Sequence, residues 1–402
     1  MRLLFLTPQF PYPPHKGTTL RNYNLIAQLA ARHTIDVLSF HDTTALPASP
    51  LDELCRRLAV VPAPARSLSR RALDTLLSPW PDMGLRLWSP RFRDQLLSWL
   101  AAGQYDVVQI EGIELARYAF SLPPRSSARL IFDAHNAEYL LQERIARAER
   151  AARGWSIGAI YSTLQARKLR GFERHSCQRA DVVAAVSAAD ATALRQLAPT
   201  LNVHVIPNGI DTTFYDRSQV TPLDLPPRSL VFTGTLDFRP NVEAVLWFAD
   251  RVWPRIRAAL PEAQFFVVGQ RPHARLDRLR ADPSIVITGA VEDTRPYIAG
   301  AAAYVIPLQM GGGTRFKLLE ALALRVPVIS TTLGAEGFDA VAGRELVLAD
   351  DATQFAEAVI EVVGNPAKSR ALGQAGRTFA ERYDWRLIVP LFEAAYRAAV
   401  SP

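Results

Sequence analysis

The feature that most constrains this chain is a series of short apolar segments that runs, stops and then runs again. Residues 3–7, 35–40, 58–61, 107–111, 130–133 and 182–186 are bounded by Pro, Gly, Asp or Asn, and several show no apolar–polar alternation. Strands buried on both faces read this way, so a parallel sheet covered by helices is expected. The stretches between them, such as 20–32 and 91–102, have helical spacing and length. The pattern restarts with strands at 229–233, 264–268, 285–288, 303–307, 326–330 and 345–348, and with helices at 241–259, 315–324 and 352–363. Two such series predict an α/β protein of two doubly wound domains, not one large sheet. The stretch 211–227, with Pro222, Pro226 and Pro227 and no clear period, is read as the boundary. The expected domains are 1–210 and 211–402, facing each other across a cleft with ligands beyond the strand carboxyl ends.

Composition narrows the class further. At 402 residues with 49% hydrophobic and 21% charged residues, the chain is an ordinary folded protein, which excludes disorder, collagen and disulfide scaffolds. Cys55 and Cys177 are too far apart for a CxxC metal site or a disulfide framework, so a reducing, cytoplasmic setting is expected. The opening apolar run gives way to prolines at 11, 13 and 14, too early for a signal-peptide core. The charge-free stretch 296–314 is interrupted by prolines and glycines and cannot be a transmembrane helix. Residues 1–200 hold 25 Lys and Arg against 17 Asp and Glu, and the remainder 21 against 22, so the whole positive excess lies in the first half. An anionic surface or substrate for that half is one explanation. An arginine-rich coding bias is the other, since only four of the basic residues are lysines.

Three regions carry candidate chemistry. Gly311, Gly312, Gly313 and Thr314 come after an apolar strand and lead through Arg315 and Lys317 into a helix. Glycines let backbone N–H groups approach an anion, and a helix N-terminus favours one. Two cations in a first turn oppose the helix dipole, a cost that a bound diphosphate would explain; a flexible loop with solvated Arg and Lys is the plainer alternative. The element matches neither the P-loop nor GxGxxG. In the second region, Asp133, His135, Asn136 and Glu138 stand at the end of a buried strand, where His135 can hydrogen-bond a sugar hydroxyl or polarise a reacting group. Helix capping by Asp133 or Asn136 is the plainer alternative. The third is the Pro/Gly loop of residues 11–21, with His15, Lys16, Gly17 and Arg21, which reads equally as an acceptor-side anion loop or a simple turn.

These elements together resemble a known family. Val205-Ile206-Pro207-Asn208-Gly209-Ile210-Asp211, Val231-Phe232-Thr233-Gly234-Thr235-Leu236, Val267-Val268-Gly269, the glycine-rich Arg/Lys/Glu helix and Val326-Pro327-Val328-Ile329-Ser330-Thr331 occur in this order. The combination resembles the retaining nucleotide-sugar glycosyltransferases of the GT-B fold, family 4, over nearly the whole chain. The resemblance implies an N-terminal acceptor domain, with a C-terminal helix near 385–402 packing back on it, and a C-terminal donor domain. It implies that Glu320, the second glutamate of an E-x7-E motif, binds the nucleotide ribose. The first glutamate falls at Gly312, so donor-sugar contacts shift to the amides of 311–314. The Arg and Lys that the family carries after the first strand of its second domain fall at Thr235 and Pro240, leaving Arg315 and Lys317 as replacements and Arg239 in reserve. His135 resembles the histidine near the donor sugar.

The resemblance further implies hexosyl transfer from a nucleoside diphosphate sugar to a glycan or lipid-linked acceptor, with retention and with no metal or cofactor. Asp350 and Asp351 offer no DxD metal site, and no carboxylate nucleophile of the glycosidase kind stands out. A catalytically silent nucleotide sensor and a nucleotide-sugar epimerase on the same fold are the competing readings. Nucleic acid is not an expected partner. Finally, Trp80, Trp88 and Trp99 lie among Arg70, Arg71, Arg86, Arg91 and Arg93, and a second segment carries Arg147, Arg150, Arg153, Arg167, Lys168 and Arg170. Tryptophan with arginine suits an anionic membrane interface on the cytoplasmic side, and core tryptophans beneath a solvated arginine face are the alternative.

Overall fold

The computed structural model describes residues 1–15, 17–123 and 127–401, with the side chains of Ala148, Ala152 and Arg153 also outside the described set. The expectations placed on Lys16 and Arg153 therefore lie outside it. The chain forms two compact units, Met1–Pro207 with Trp385–Pro402, and Asn208–Asp384.

The first unit is built on seven strands, β1 (Arg2–Thr7), β2 (Thr34–His41), β3 (Arg57–Pro62), β4 (Val107–Glu111), β5 (Arg129–Ala134), β6 (Val182–Ala185) and β7 (Val203–Val205). They lie in the order β3-β2-β1-β4-β5-β6-β7, and every pairing is parallel. The second unit holds β8 (Ser229–Thr233), β9 (Gln264–Val268), β10 (Ile285–Gly289), β11 (Ala303–Ile306), β12 (Val328–Ser330) and β13 (Val347–Leu348), in the order β10-β9-β8-β11-β12-β13 and again all parallel. Each sheet reverses its winding once, between β1 and β4 and between β8 and β11. A doubly wound sheet opens its crevice at such a reversal, beyond the strand carboxyl ends. The apolar runs explain the cores, since β4, β8 and β11 are buried at every residue.

Several expectations are corrected. The stretch 211–227 is not a free linker, because Tyr215 and Val220 are buried in the second core and the Thr212 hydroxyl donates to Asp384 at 2.5 Å. The helix expected over 241–259 is interrupted. It runs Arg239–Trp247, passes through a π-turn at Phe248–Val252 and restarts at Trp253–Ala259. Pro254, which lacks the N–H that a continuous helix needs, sits at that restart. β7 has no apolar run to announce it, since of its three residues only Val203 is buried. The tryptophans expected at an interface are packed instead. Trp99 is buried, Trp80 lies 5.3 Å from Phe172, and Trp88 stacks on Tyr118 at 5.1 Å.

One close approach fixes the crevice of the second unit. A Cβ at Gly269, just after β9, would stand 1.8 Å from the Gly234 carbonyl oxygen, so only glycine lets the two strand ends meet. Gly269→Ala should therefore lower the Tm well beyond Gly343→Ala. The latter meets nothing within 4 Å and carries only the left-handed penalty of about 1–2 kcal/mol. Equal Tm losses in the two variants would contradict this reading of the crevice.

Candidate functional site

In the second unit, the loop after β11 reaches the reversal point. Gly311 (φ +111°) and Gly313 (φ +80°) adopt left-handed backbone that other residues avoid. The loop is held from two sides at Thr314. Asn208, from the Pro-Asn-Gly segment, donates its side-chain amide to the Thr314 hydroxyl, and a Cβ at Gly337 would fall 2.4 Å from Thr314 Cγ2. The helix Phe316–Ala323 then starts at Arg315, which makes no side-chain cap.

From this helix Lys317 crosses to β8. Its Nζ donates to the Thr233 carbonyl at 2.7 Å and to Asn241 Oδ1 at 3.1 Å, and lies 4.1 Å from the Phe232 ring centroid. Asn241 is oriented for this by donating its own amide to the Thr235 carbonyl at 2.9 Å. Gly234 is small of necessity, since a Cβ there would sit 2.9 Å from Lys317 Nζ. Thr235 and Pro240 supply no cation at the end of β8, and Lys317 delivers one there from a different element. Arg239, exposed at the start of its helix, is not among the groups bonded to this lysine.

Arg315 completes the pair. Its Nε and Nη2 are buried without a hydrogen-bond partner among the described residues, and a Cβ at Gly311 would lie 3.1 Å from Nη2. Burying a charged donor without a partner is costly, so the fold itself has no use for this guanidinium. Burial lowers its pKa against the opposing charge of Glu336. Burial, then the Arg315 charge, bring Lys317 down to about 7, with Glu320 pulling the other way. Glu320 lies on the same helix and accepts from the Tyr215 hydroxyl at 3.2 Å. Burial raises its pKa, opposed by that bond and by Lys317. Gly312 lies in this same loop.

In the first unit, the ends of β4 and β5 bring Glu111, Asp133 and His135 together. His135 Nε2 lies 2.9 Å from Glu111 Oε2 and 4.0 Å from Asp133 Oδ2. Gln109 donates to Glu111 Oε1 at 2.6 Å and in turn accepts from the Tyr396 hydroxyl, which comes from the helix Trp385–Val400. Burial alone would lower the His135 pKa, but the Glu111 bond and the Asp133 and Glu111 charges outweigh it and raise it. Burial and the Asp133 charge raise Glu111 as well, so each group holds a proton more tightly than it would in water. Asn136 does not cap the following helix but donates to Glu138 at 2.8 Å.

Glu111, Asp133 and His135 place ligand-type atoms within 4.8 Å of one another, the spacing of a metal seat. Their lone pairs are directed elsewhere. Both Asp133 oxygens take the Arg21 guanidinium, at 2.8 and 2.9 Å, and the Glu111 oxygens take Gln109 and His135. Arg21, expected on an acceptor-side loop, is thus corrected to an interior residue. It is 1% exposed and also donates to the carbonyls of Pro207 and Ile206. Gly17, by contrast, is exposed at the first turn of Gly17–Ala30. Asp350 and Asp351 are structural: Asp350 binds Thr332, and Asp351 caps the helix Ala352–Gly364.

Tyr215, Asn241, Asn208 and Glu111 are site residues that sequence reasoning misses. Asn208 alone has a signal, in its Pro-Asn-Gly segment. The lysine yields a prediction. A folded pKa near 7, below the unfolded value, means the unfolded chain binds more protons between pH 7 and about 10.4. Wild-type stability relative to Lys317→Met should be lowest below pH 7 and rise as pH rises through that window. A Tm difference that stays flat between pH 6 and pH 9 would exclude this environment for the lysine.

Both units are similar to known proteins. The profile described as Glycosyltransferase Family 4 matches residues 15–214, and that described as Glycosyl transferases group 1 matches 227–365. A GDP-mannose-dependent monoacylated alpha-(1-6)-phosphatidylinositol monomannoside mannosyltransferase of Corynebacterium glutamicum is 30% identical over 151 residues, 34% of this chain and 40% of that protein. The matched stretches span 40% to 44% of the curated relatives. Among solved structures, sucrose-phosphate synthase from Thermosynechococcus elongatus superposes with TM-score 0.73 at 18% identity, covering 99% of this chain and 98% of that one. Anabaena HepE, solved in complex with UDP and glucose, gives TM-score 0.65 at 15% identity, with 98% and 99% covered. With both units matched and the fold shared end to end, the chain belongs to the glycosyltransferases of the GT-B fold.

Proposed function

We propose that this glycosyltransferase moves a hexosyl group from a nucleoside diphosphate sugar to a glycan or lipid-linked acceptor, with retention and without a metal ion. The observation that carries the reading is Arg315, with Nε and Nη2 buried and without a hydrogen-bond partner, beside Lys317 at the reversal point of the second sheet. Breaking the anomeric C–O bond leaves charge on the β-phosphate. Fixed cations and amides aimed at that charge are the largest source of catalysis in such a site. Arg315, Lys317 and the N–H groups of Gly311, Gly312, Gly313 and Thr314 take the diphosphate, and Glu320 takes the ribose. With Gly312 in place of a carboxylate, the donor sugar rests on loop amides.

The first unit serves the acceptor and supplies His135 to a sugar hydroxyl, its ring oriented by Glu111. Two cations in a dry loop take the part that a divalent metal plays in other transferases. The leaving phosphate then accepts the acceptor's hydroxyl proton on the face it departs from, which gives retention without a protein nucleophile. The positive first half suits a membrane-proximal acceptor on the cytoplasmic leaflet, in the service of envelope polysaccharide synthesis. No helix among the described residues is long and apolar enough to cross a membrane.

Thermal-shift screening with UDP-, GDP- and ADP-sugars identifies the donor, since ligand binding raises apparent stability. With that donor, Arg315→Ala and Lys317→Ala should each reduce turnover on the order of 10²-fold or more, with the fold intact and the rate unchanged by EDTA. Glu320→Gln should weaken free-nucleotide binding. Near-normal turnover in both cation variants would refute the assignment. A donor that stabilises the protein but is neither transferred nor hydrolysed would favour a silent nucleotide sensor.

A further inference from the structure

One helix of the first unit is turned the wrong way round for a soluble protein. The helix Leu68–Leu77 has a strong apolar–polar division yet buries none of its residues. Its polar side faces the protein. Thr75 is gripped by Lys168, which donates to its carbonyl at 2.6 Å, and by Gln165 at 3.4 Å, while Asp74 pairs with Arg66 at 2.9 Å. Its leucines face solvent. Leu68, Leu76 and Leu77 are 75–80% exposed. An amphipathic helix ordinarily buries its apolar stripe, and a contiguous exposed one marks an interaction surface.

The surface continues onto the long helix beside it, Ile157–Arg179. Trp155 and Ile157 are 65% and 88% exposed, and Ile160 and Tyr161 lie on the same helical face one turn on. Gln165 and Lys168 of this helix, through their bonds to Thr75, hold it against the leucine helix. Next to them, a cavity of about 260 Å³ between the helices Glu138–Arg153 and Ile157–Arg179 is lined by Arg147, Arg150, Arg167 and Arg170. Among the described residues, Glu143 is the one acid in its lining, and Arg147 and Arg170 share it. Arg150 lies 5.2 Å from the Trp155 ring centroid, so the basic groove and the apolar patch meet. Across 138–179 the chain holds nine Lys and Arg against four Asp and Glu.

We infer that this face is the docking surface for an anionic membrane: the leucine stripe and Trp155 enter the headgroup boundary while the arginine groove takes lipid phosphates. An amphipathic helix lies in the interfacial plane with its apolar side buried, and each nearby cation adds attraction to anionic lipid. Charge selects this occupant. A second copy of the chain would bring the same arginines into apposition, which disfavours self-association. The surface rests on the membrane-proximal acceptor reading and gives it a location. It also moves the interfacial aromatic from Trp80, Trp88 and Trp99, which are packed, to Trp155. Vesicle binding needs no turnover, so it stands or falls separately from the transferase assignment.

The test is co-sedimentation of the full chain with phosphatidylcholine vesicles, with and without 30% phosphatidylglycerol, at low and high salt. The wild type should bind the anionic vesicles, release them as salt rises, and leave neutral ones in the supernatant. Arg147→Ser, Arg150→Ser and Arg167→Ser combined should weaken binding on the order of 10²-fold. Leu76→Ser, Leu77→Ser and Ile157→Ser combined should weaken binding to the anionic vesicles at low salt by a similar factor. All six positions are away from the donor loop, so circular dichroism and the Tm should be unchanged in both variants. Equal binding to neutral vesicles, no binding at low salt, or no effect of either variant would overturn the proposal. So would concentration-dependent dimerisation that the leucine variant removes, which would give the face to a second copy.

Discussion

The second unit is organised around the bridge from Lys317 to the end of β8. A lysine on the helix after β11 donates to the Thr233 carbonyl and to Asn241, and this closes the second sheet at the point where its winding reverses. Everything near it is arranged around that cation. Gly234 leaves room for it, Gly269 lets the neighbouring strand end approach, and Asn241 turns its oxygen inward. Arg315 stands two residues away with buried, unpartnered nitrogens. Two like charges side by side in a poorly solvated loop raise the energy of the empty protein, and burial accordingly holds both pKa values down. An anion is the ligand that relieves this.

The first unit treats its charges in the opposite way. Arg21 and Asp133 are fully buried, but they satisfy each other through two bonds, and the remaining guanidinium donors take the carbonyls that end the unit at Ile206 and Pro207. Breaking such a pair is far costlier than replacing it whole, so it acts as a fixed post. Against it sit Glu111 and His135, reached from the C-terminal helix through Tyr396 and Gln109. The helix Trp385–Val400 thus returns across the sequence to brace a histidine that precedes it by more than two hundred residues. The contrast separates charge that is paired inside the fold from the Arg315 nitrogens that are buried without a partner.

Much of this is legible in the sequence. β4, β8 and β9 announce themselves because both faces are covered and every position is apolar or tolerates burial, and each apolar run ends where its strand ends. Arg315 and Lys317 are legible because cations in a first turn contradict the helix dipole, a local conflict visible without coordinates, whereas Glu320 is picked out by the family resemblance alone. What escapes depends on distant partners. Nothing near Arg21 shows that it will meet Asp133, and nothing near Lys317 shows that it will reach Thr233. Whether a tryptophan beside arginines faces in or out is decided by packing. Trp99 and Trp155 both lie in arginine-bearing segments, and one is 4% and the other 65% exposed. The Pro-rich 211–227 stretch reads as a linker because its composition is that of one, while Tyr215 and Val220 within it bind it to the core.

In the proposed reading Lys317, whose pKa burial and the Arg315 charge bring down to about 7, gives up its proton in the free protein and takes it up again against a bound diphosphate. Proton uptake measured by isothermal titration calorimetry tests this most directly. The cognate nucleoside diphosphate would be titrated at pH 8 in buffers of different ionisation enthalpy. With a free-protein pKa of about 7, uptake should approach one proton per nucleotide bound. That uptake should decline towards pH 6 and be absent in Lys317→Met. Binding with no net proton uptake at pH 8, or uptake that survives in the methionine variant, would contradict a lysine held in this state.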